Sequence, residues 1–317
     1  MLYSPVAMHI PDGFLSVLVS IVMWLISAAA IALALRRVGV TAGNRRVPLM
    51  GVLAACIFAG QMLNFAVAGG TSGHLLGAAL ATILVGPWAA ILVMTSVVGL
   101  QALVFQDGGL LALGANVFNM AVIGVSVSFV VYRAIQRLAA GRRWGILIGG
   151  FAAAWFSIFI TSLAAALELA VSGTSPANIA VPAMAAIHAL IGLGEGLITV
   201  GALAFVYAGR RDLLVGGQVQ TKGDAPVLVA GVVLALLLAF LSPLASAHPD
   251  GLEWVAEELG FLGMARDPAF GIIPDYVLPG VANESLATIL AGVVGVALLV
   301  LVALAFARYR GQATEGR

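Results

Sequence analysis

The segment Met8-His9-Ile10-Pro11-Asp12-Gly13-Phe14-Leu15 brings together the groups in this chain best suited to hold a transition-metal ion, provided that translation starts at Met8. The free amine of Met8, the backbone nitrogen of His9 and its imidazole Nδ1 would then close two fused chelate rings on one ion. His74, at the end of the turn Gly69-Gly70-Thr71-Ser72-Gly73, can supply a fourth nitrogen, because glycines let the backbone fold tightly enough to present it. Four nitrogens in one plane suit Ni2+ or Cu2+ and also accommodate Co2+. A chain starting at Met1 would leave Met8 with a peptide nitrogen and no free amine, and the chelate would lose its anchor. Residues 1–7 lack the basic and apolar regions of a signal peptide, so they are expected to be a leader that the protein does not carry.

The elements that must position these groups lie in a membrane. Of the 317 residues 62% are hydrophobic and only 9% charged, with a mean hydropathy of +1.11, against about 25% charged in soluble domains. Apolar windows predict an all-α polytopic protein of about nine transmembrane helices, at 14–36, 48–68, 75–86, 88–106, 113–138, 144–171, 179–208, 226–244 and 285–307. The third and fourth come from one stretch broken at Gly86-Pro87, where proline removes a backbone donor. With this count Arg36, Arg37, Arg45, Arg46, Arg133, Arg137, Arg142, Arg143, Arg210, Arg211, Lys222, Arg308, Arg310 and Arg317 all face the cytoplasm. Only Arg266 lies outside, so the positive-inside rule puts the N-terminus, His9 and His74 outside as well. A polar, glycine-containing linker at 213–225 separates seven spans from two. The two are joined by an acidic outer loop, 245–284, that includes Asp250 and Glu253.

Other polar groups invite a role. His188 and Glu195 are seven residues apart on the seventh span, hence on similar faces of one helix. They could support the metal ligands, serve an ion path, or hydrogen-bond between helices. Asp12 turns the chain into the first helix, and Asn116 is a polar group on the fifth span. Glu168 is expected to reach water at the outer end of the sixth. Cys56 is the only cysteine and is expected to be a small buried thiol. Nothing suggests a nucleic-acid partner or an organic cofactor. The chain has neither a phosphate-binding G-x-x-x-x-G-K-[ST] loop nor an H-E-x-x-H zinc motif, so it is read as a transporter component and not an enzyme.

Met8–Leu15 and Gly70-Thr-Ser-Gly-His-Leu-Leu-Gly77 resemble the signatures of the CbiM/NikM substrate-binding components of energy-coupling-factor transporters. Pro249-Asp-Gly-Leu-Glu253, followed by Pro274-Asp-Tyr276, resembles the PDGLE-type N component. The resemblance implies an M component over 8–212, an N component over 226–310 and a short tail, 311–317. It also implies a planar nitrogen site made by Met8, His9 and His74, with Ni2+ or Co2+ as the transported substrate. The partners implied are a membrane coupling protein and a pair of cytoplasmic ABC ATPase subunits. The competing expectation is a self-sufficient, ion-coupled secondary transporter in which His188 and Glu195 form the relay.

Overall fold

The computed structural model describes residues 9–41, 46–140, 142–210, 214 and 224–315. Among these, seven helical stretches are long and apolar enough to cross a membrane. They are α1 (Val17–Thr41), α4 (Pro87–Leu100) with its π-helical extension 101–105, α5 (Leu113–Val117) running through a π turn into α6 (Gly124–Ala139), α7 (Arg143–Val171), α8 (Ala177–Gly209), α9 (Asp224–Leu241) and α11 (Glu284–Glu315). Two shorter apolar helices, α2 (Arg46–Gln61) and α3 (Ala78–Val85), lie between α1 and α4. A short helix, α10 (Gly251–Glu258), sits in the loop between α9 and α11. The all-α polytopic expectation therefore holds.

The second and third expected spans are shorter as helices than their hydropathy. Span two was expected to reach residue 68, but α2 ends at Gln61 and a hairpin follows. Its strands β1 (Phe65–Val67) and β2 (Thr71–Gly73) pair antiparallel, with Phe65 opposite Gly73. Gly69 and Gly70 turn the hairpin with φ of +92° and +81°, a region open to glycine without strain. Hydropathy counts Phe65-Ala-Val-Ala as helix because it does not register that turn. α3 has eight residues, about 12 Å of helix, and cannot cross alone. Residues 74–77 before it are unwound, and together they still carry the chain from the histidine end of the bundle to the arginine end. There Arg37 lies 5.7 Å from the Trp88 ring centroid, just past the Gly86-Pro87 break. Gly86 (φ +82°, ψ 164°) lets the chain reverse, and Pro87 opens α4 at its first turn, where its missing N–H costs no bond.

Burial follows membrane logic. The outward faces of α1, α9 and α11 expose Leu18, Leu25, Phe240 and Val302, while Ile57, Phe58, Met94 and Leu169 are buried between helices. The second part is packed against the first: α11 and α9 both lie along α2. The Cys56 thiol, half-buried and not fully buried as expected, donates to the Gly231 carbonyl of α9 at 3.2 Å.

Small residues set the closest approaches. A Cβ on Gly114 would fall 2.5 Å from the backbone nitrogen of Trp24, whereas one on Gly99 would meet nothing within 4 Å. Gly114→Ala should therefore force α1 and α5 apart and cost about 1–3 kcal/mol, seen as a lower detergent-melting temperature. Gly99→Ala, in the interior of α4, should leave that temperature unchanged or raise it.

Candidate metal site

The chain from His9 to Phe14 runs without helix over one end of the bundle, and side chains from the spans pair its backbone. Asn116 accepts the Ile10 N–H with Oδ1 and donates Nδ2 to the Ile10 carbonyl, both at 3.0 Å. The Asp12 carboxylate accepts the amides of Leu110, Leu111 and Ala112 at 3.1, 2.8 and 3.0 Å. These bonds tie the N-terminal segment to the loop that leads into α5. Asp12 and Asn116 thus act on the backbone around His9 and do not point at the expected ligand atoms. Gly108 (φ +95°) passes directly beneath His9, where an added Cβ would stand 2.9 Å from the His9 Cβ.

His9 is buried, at 4% exposure. Its Nδ1 lies 2.8 Å from Asp107 Oδ1, and its backbone N–H donates to the same oxygen at 3.3 Å. The other Asp107 oxygen accepts the Tyr276 hydroxyl at 2.5 Å, and that hydroxyl accepts Gln101 Nε2 at 3.1 Å. Burial alone would lower the His9 pKa, but the charge and hydrogen bond of Asp107 turn it upward from 6.5. Burial alone would raise Asp107, but His9 and then Tyr276 hold it below the ordinary carboxylate value. Sequence alone assigned Asp107 no role, and Tyr276 only a place in the PDGLE-like segment. The available signal was that Asp107 is the one carboxylate in the break between the fourth and fifth spans, on the same side as His9.

His74 follows β2, and its ring centroid lies 5.7 Å from that of His9, with the rings tilted by 59°. With metal–nitrogen bonds of about 2.0–2.1 Å, two imidazoles sharing one ion have centroids roughly 4.5–6.3 Å apart. His74 Nδ1 lies 3.2 Å from the Leu75 carbonyl, so the proton sits on Nδ1 and the lone pair on Nε2. Burial pushes its pKa down to about 4, and the charge of His9 adds to the shift, so His74 is neutral at neutral pH. The unwound segment after it is held by Glu195, fully buried on α8. Its oxygens accept the amides of Leu76 and Gly77 at 2.7 and 3.1 Å, while Gln61 Nε2 donates to the Leu76 carbonyl at 3.0 Å.

His9 and His74 share a cavity of about 80 Å3 with Asn116, Asn119, His188 and Asp250. His188 Nδ1 bonds the Met184 carbonyl of its own helix at 2.9 Å. Of the roles left open for them, His188 lines the cavity, whereas Glu195 has both oxygens on backbone amides, in line with the hydrogen-bonding alternative. Glu168, expected in water, is buried, and Oε2 accepts Asn119 Nδ2 at 2.8 Å because α7 continues past it to Val171. Asp250 caps α10 by accepting the Glu253 N–H at 2.7 Å, and burial raises its pKa to about 8. Glu253 is buried in the first turn of α10. Met8 lies outside the described residues.

The family model described as "cobalt uptake substrate-specific transmembrane region" matches residues 9–213, and the PDGLE domain model matches 225–310. A putative fused nickel transport protein of Archaeoglobus fulgidus is 37% identical, over 95% of this chain and 99% of its own length. A fused nickel transport protein of Rhodobacter capsulatus is 31% identical over 92% of this chain and 95% of its own. A cobalt transport protein of Geobacter sulfurreducens is 33% identical over 77% of this chain and 72% of its own. A crystal structure of a truncated transition-metal transporter matches with a TM-score of 0.56 and 34% identity, over 63% of this chain and 98% of its own.

Removing the Glu195 carboxylate should strand two buried amides, each costing about 1–3 kcal/mol. Glu195→Ala is expected to lower the detergent-melting temperature more than Glu195→Gln, which keeps one acceptor oxygen. An equal effect of the two would show that the amides find other partners.

Proposed function

The chain belongs to the cobalt-uptake substrate-specific transmembrane family, with a PDGLE domain fused behind it, and on that premise we propose that it captures Ni2+ or Co2+ for import. The observation that carries this reading is the approach of His9 and His74, two imidazoles 5.7 Å apart over one shared cavity. The backbone nitrogen and Nδ1 of His9 converge on a single Asp107 oxygen, much as two arms of a chelate converge on a cation. With the amine of a chain starting at Met8, and with a His74 nitrogen, this is a planar four-nitrogen set. That geometry favours nickel over cobalt, in keeping with the nickel named for the fused relatives.

The arginines support the orientation. Arg37 stacks near Trp88 and Arg143 near Tyr207, at the end of the bundle away from His9. By the positive-inside rule that end is cytoplasmic, and the histidines meet the ion from outside. The chain carries no phosphate-binding loop, so the energy for import comes from elsewhere; membership of the family assigns it to a pair of cytoplasmic ABC ATPase subunits acting through a membrane coupling protein. Capture itself requires His9 to give up its proton, since Asp107 favours the charged ring. Its pKa is raised above the ordinary histidine value by Asp107, so protons compete with the ion for the ring and the competition strengthens as pH falls.

Intact-mass analysis of protein from its native host should show a chain starting at Met8 that gains one Ni2+ per chain. His9→Ala and His74→Ala should each abolish that gain; nickel retained on a chain that starts at Met1 would refute the ligand set. Apparent Ni2+ affinity should fall steadily from pH 8 to pH 6 in equilibrium dialysis. A pH-independent affinity would exclude His9 as a ligand that must lose a proton.

A further inference from the structure

The wall of the histidine cavity is completed by the second part of the chain. The Ser72 N–H donates to the Pro249 carbonyl at 2.8 Å, Ser72 Oγ to the His248 carbonyl at 2.8 Å, and Thr71 Oγ1 to the Pro249 carbonyl at 3.1 Å. These bonds seat the start of α10 against β2, the strand that ends one residue before His74. Asp250, Gly251 and Leu252 then line the same cavity as His9, His74 and His188. Gly251 is the point of closest approach, where an added Cβ would lie 2.9 Å from His188 Cε1 and 3.1 Å from His188 Nε2.

His188 and Asp250 are each held ready for a ligand. The Nδ1 bond to Met184 makes Nδ1 the proton-bearing nitrogen and leaves the lone pair on Nε2, beside Gly251, in a ring that lines the cavity. One Asp250 oxygen is engaged by the α10 amide, so the second can turn to a cation while the cap is kept, the ion displacing to solvent the proton that burial favours on the carboxyl. An imidazole nitrogen and a carboxylate oxygen together suit a divalent first-row metal. The cavity of about 80 Å3 is several times the roughly 10–15 Å3 that one water requires. A partly hydrated ion can therefore sit by His188 and Asp250 before it loses water to the nitrogens of His9 and His74.

We propose that Asp250 and His188 form a loading station for the metal ion, contributed jointly by the two parts of the chain, from which the ion passes to the His9–His74 site. This inference rests on the capture function proposed above. It assigns the PDGLE segment a direct chemical part: its aspartate binds the ion in transit, and its glycine lets that aspartate approach the histidine.

The test is stopped-flow mixing of the full-length detergent-purified protein with Co2+, followed by its visible absorption. Asp250→Asn keeps an N-capping side chain, and His188→Asn keeps a donor toward the Met184 carbonyl, so both variants should melt within a few degrees of the parent. Each is expected to slow association at least tenfold while binding at saturation stays at one ion per chain. The double variant should be no slower than the slower single one, because both remove the same station. Unchanged association rates in both variants would overturn the proposal, and so would a loss of stoichiometry, which would make the residue a ligand of the final site. Failure of the parent protein to bind Co2+ at all would instead overturn the capture function. Melting temperatures that fall together with the rates would assign the residues to the packing of α10 on α8 and likewise overturn the station.

Discussion

Backbone left unwound and buried inside a protein must find its hydrogen bonds there, since no water reaches it. This chain has such a stretch at His74–Gly77, and the architecture around the site follows from satisfying it. Glu195 takes the amides of Leu76 and Gly77, and Gln61 supplies the donor for the Leu76 carbonyl. The same solution recurs at Ile10, where Asn116 pairs both the amide and the carbonyl. In each case a polar side chain on a span does what a neighbouring strand would do in a soluble protein. The two extended segments so held are the ones that carry His9 and His74.

Much of this was legible in the sequence, for identifiable reasons. Hydropathy and the Gly86-Pro87 break located the apolar segments, because transfer energy and the missing proline donor are local properties. His9 and His74 could be placed on one side of the membrane from span parity alone, and the structure brings their rings together. The hairpin at Phe65–Gly73 was hidden because apolar strand and apolar helix read alike in hydropathy. The roles of Glu195 and Asp107 were hidden because each partners something far away in the chain: Glu195 an unwound backbone 118 residues earlier, and Asp107 a histidine 98 residues earlier. Periodicity put His188 and Glu195 on one helical face but could not tell that the face touches two different neighbours, the cavity and the start of α3.

Asp107 explains how His9 can stay buried and still be prepared for a cation. A protonated imidazole inside a membrane protein is costly unless an opposite charge and hydrogen bonds compensate it. One Asp107 oxygen receives both His9 donors, and the other is held by Tyr276, itself stacked on Phe105 at 4.8 Å. The side chain facing the two His9 nitrogens therefore carries a negative charge at the place where they converge.

Tyr276 and Asp250 both come from the second part of the chain, and they reach the first part at different points: Tyr276 behind His9 through Asp107, and Asp250 beside His188. A separately made partner would have to meet both points by diffusion and lose rotational freedom in doing so. Fusion through a short connection turns that encounter into an intramolecular one. The helices α9 and α11 then need only pack along α2 for the loop between them to fall over the histidine end of the bundle. On this reasoning the loop should not be regarded as an accessory to a finished site. It supplies part of the cavity wall and part of the hydrogen-bond chain behind His9, so the two parts build one polar cavity between them.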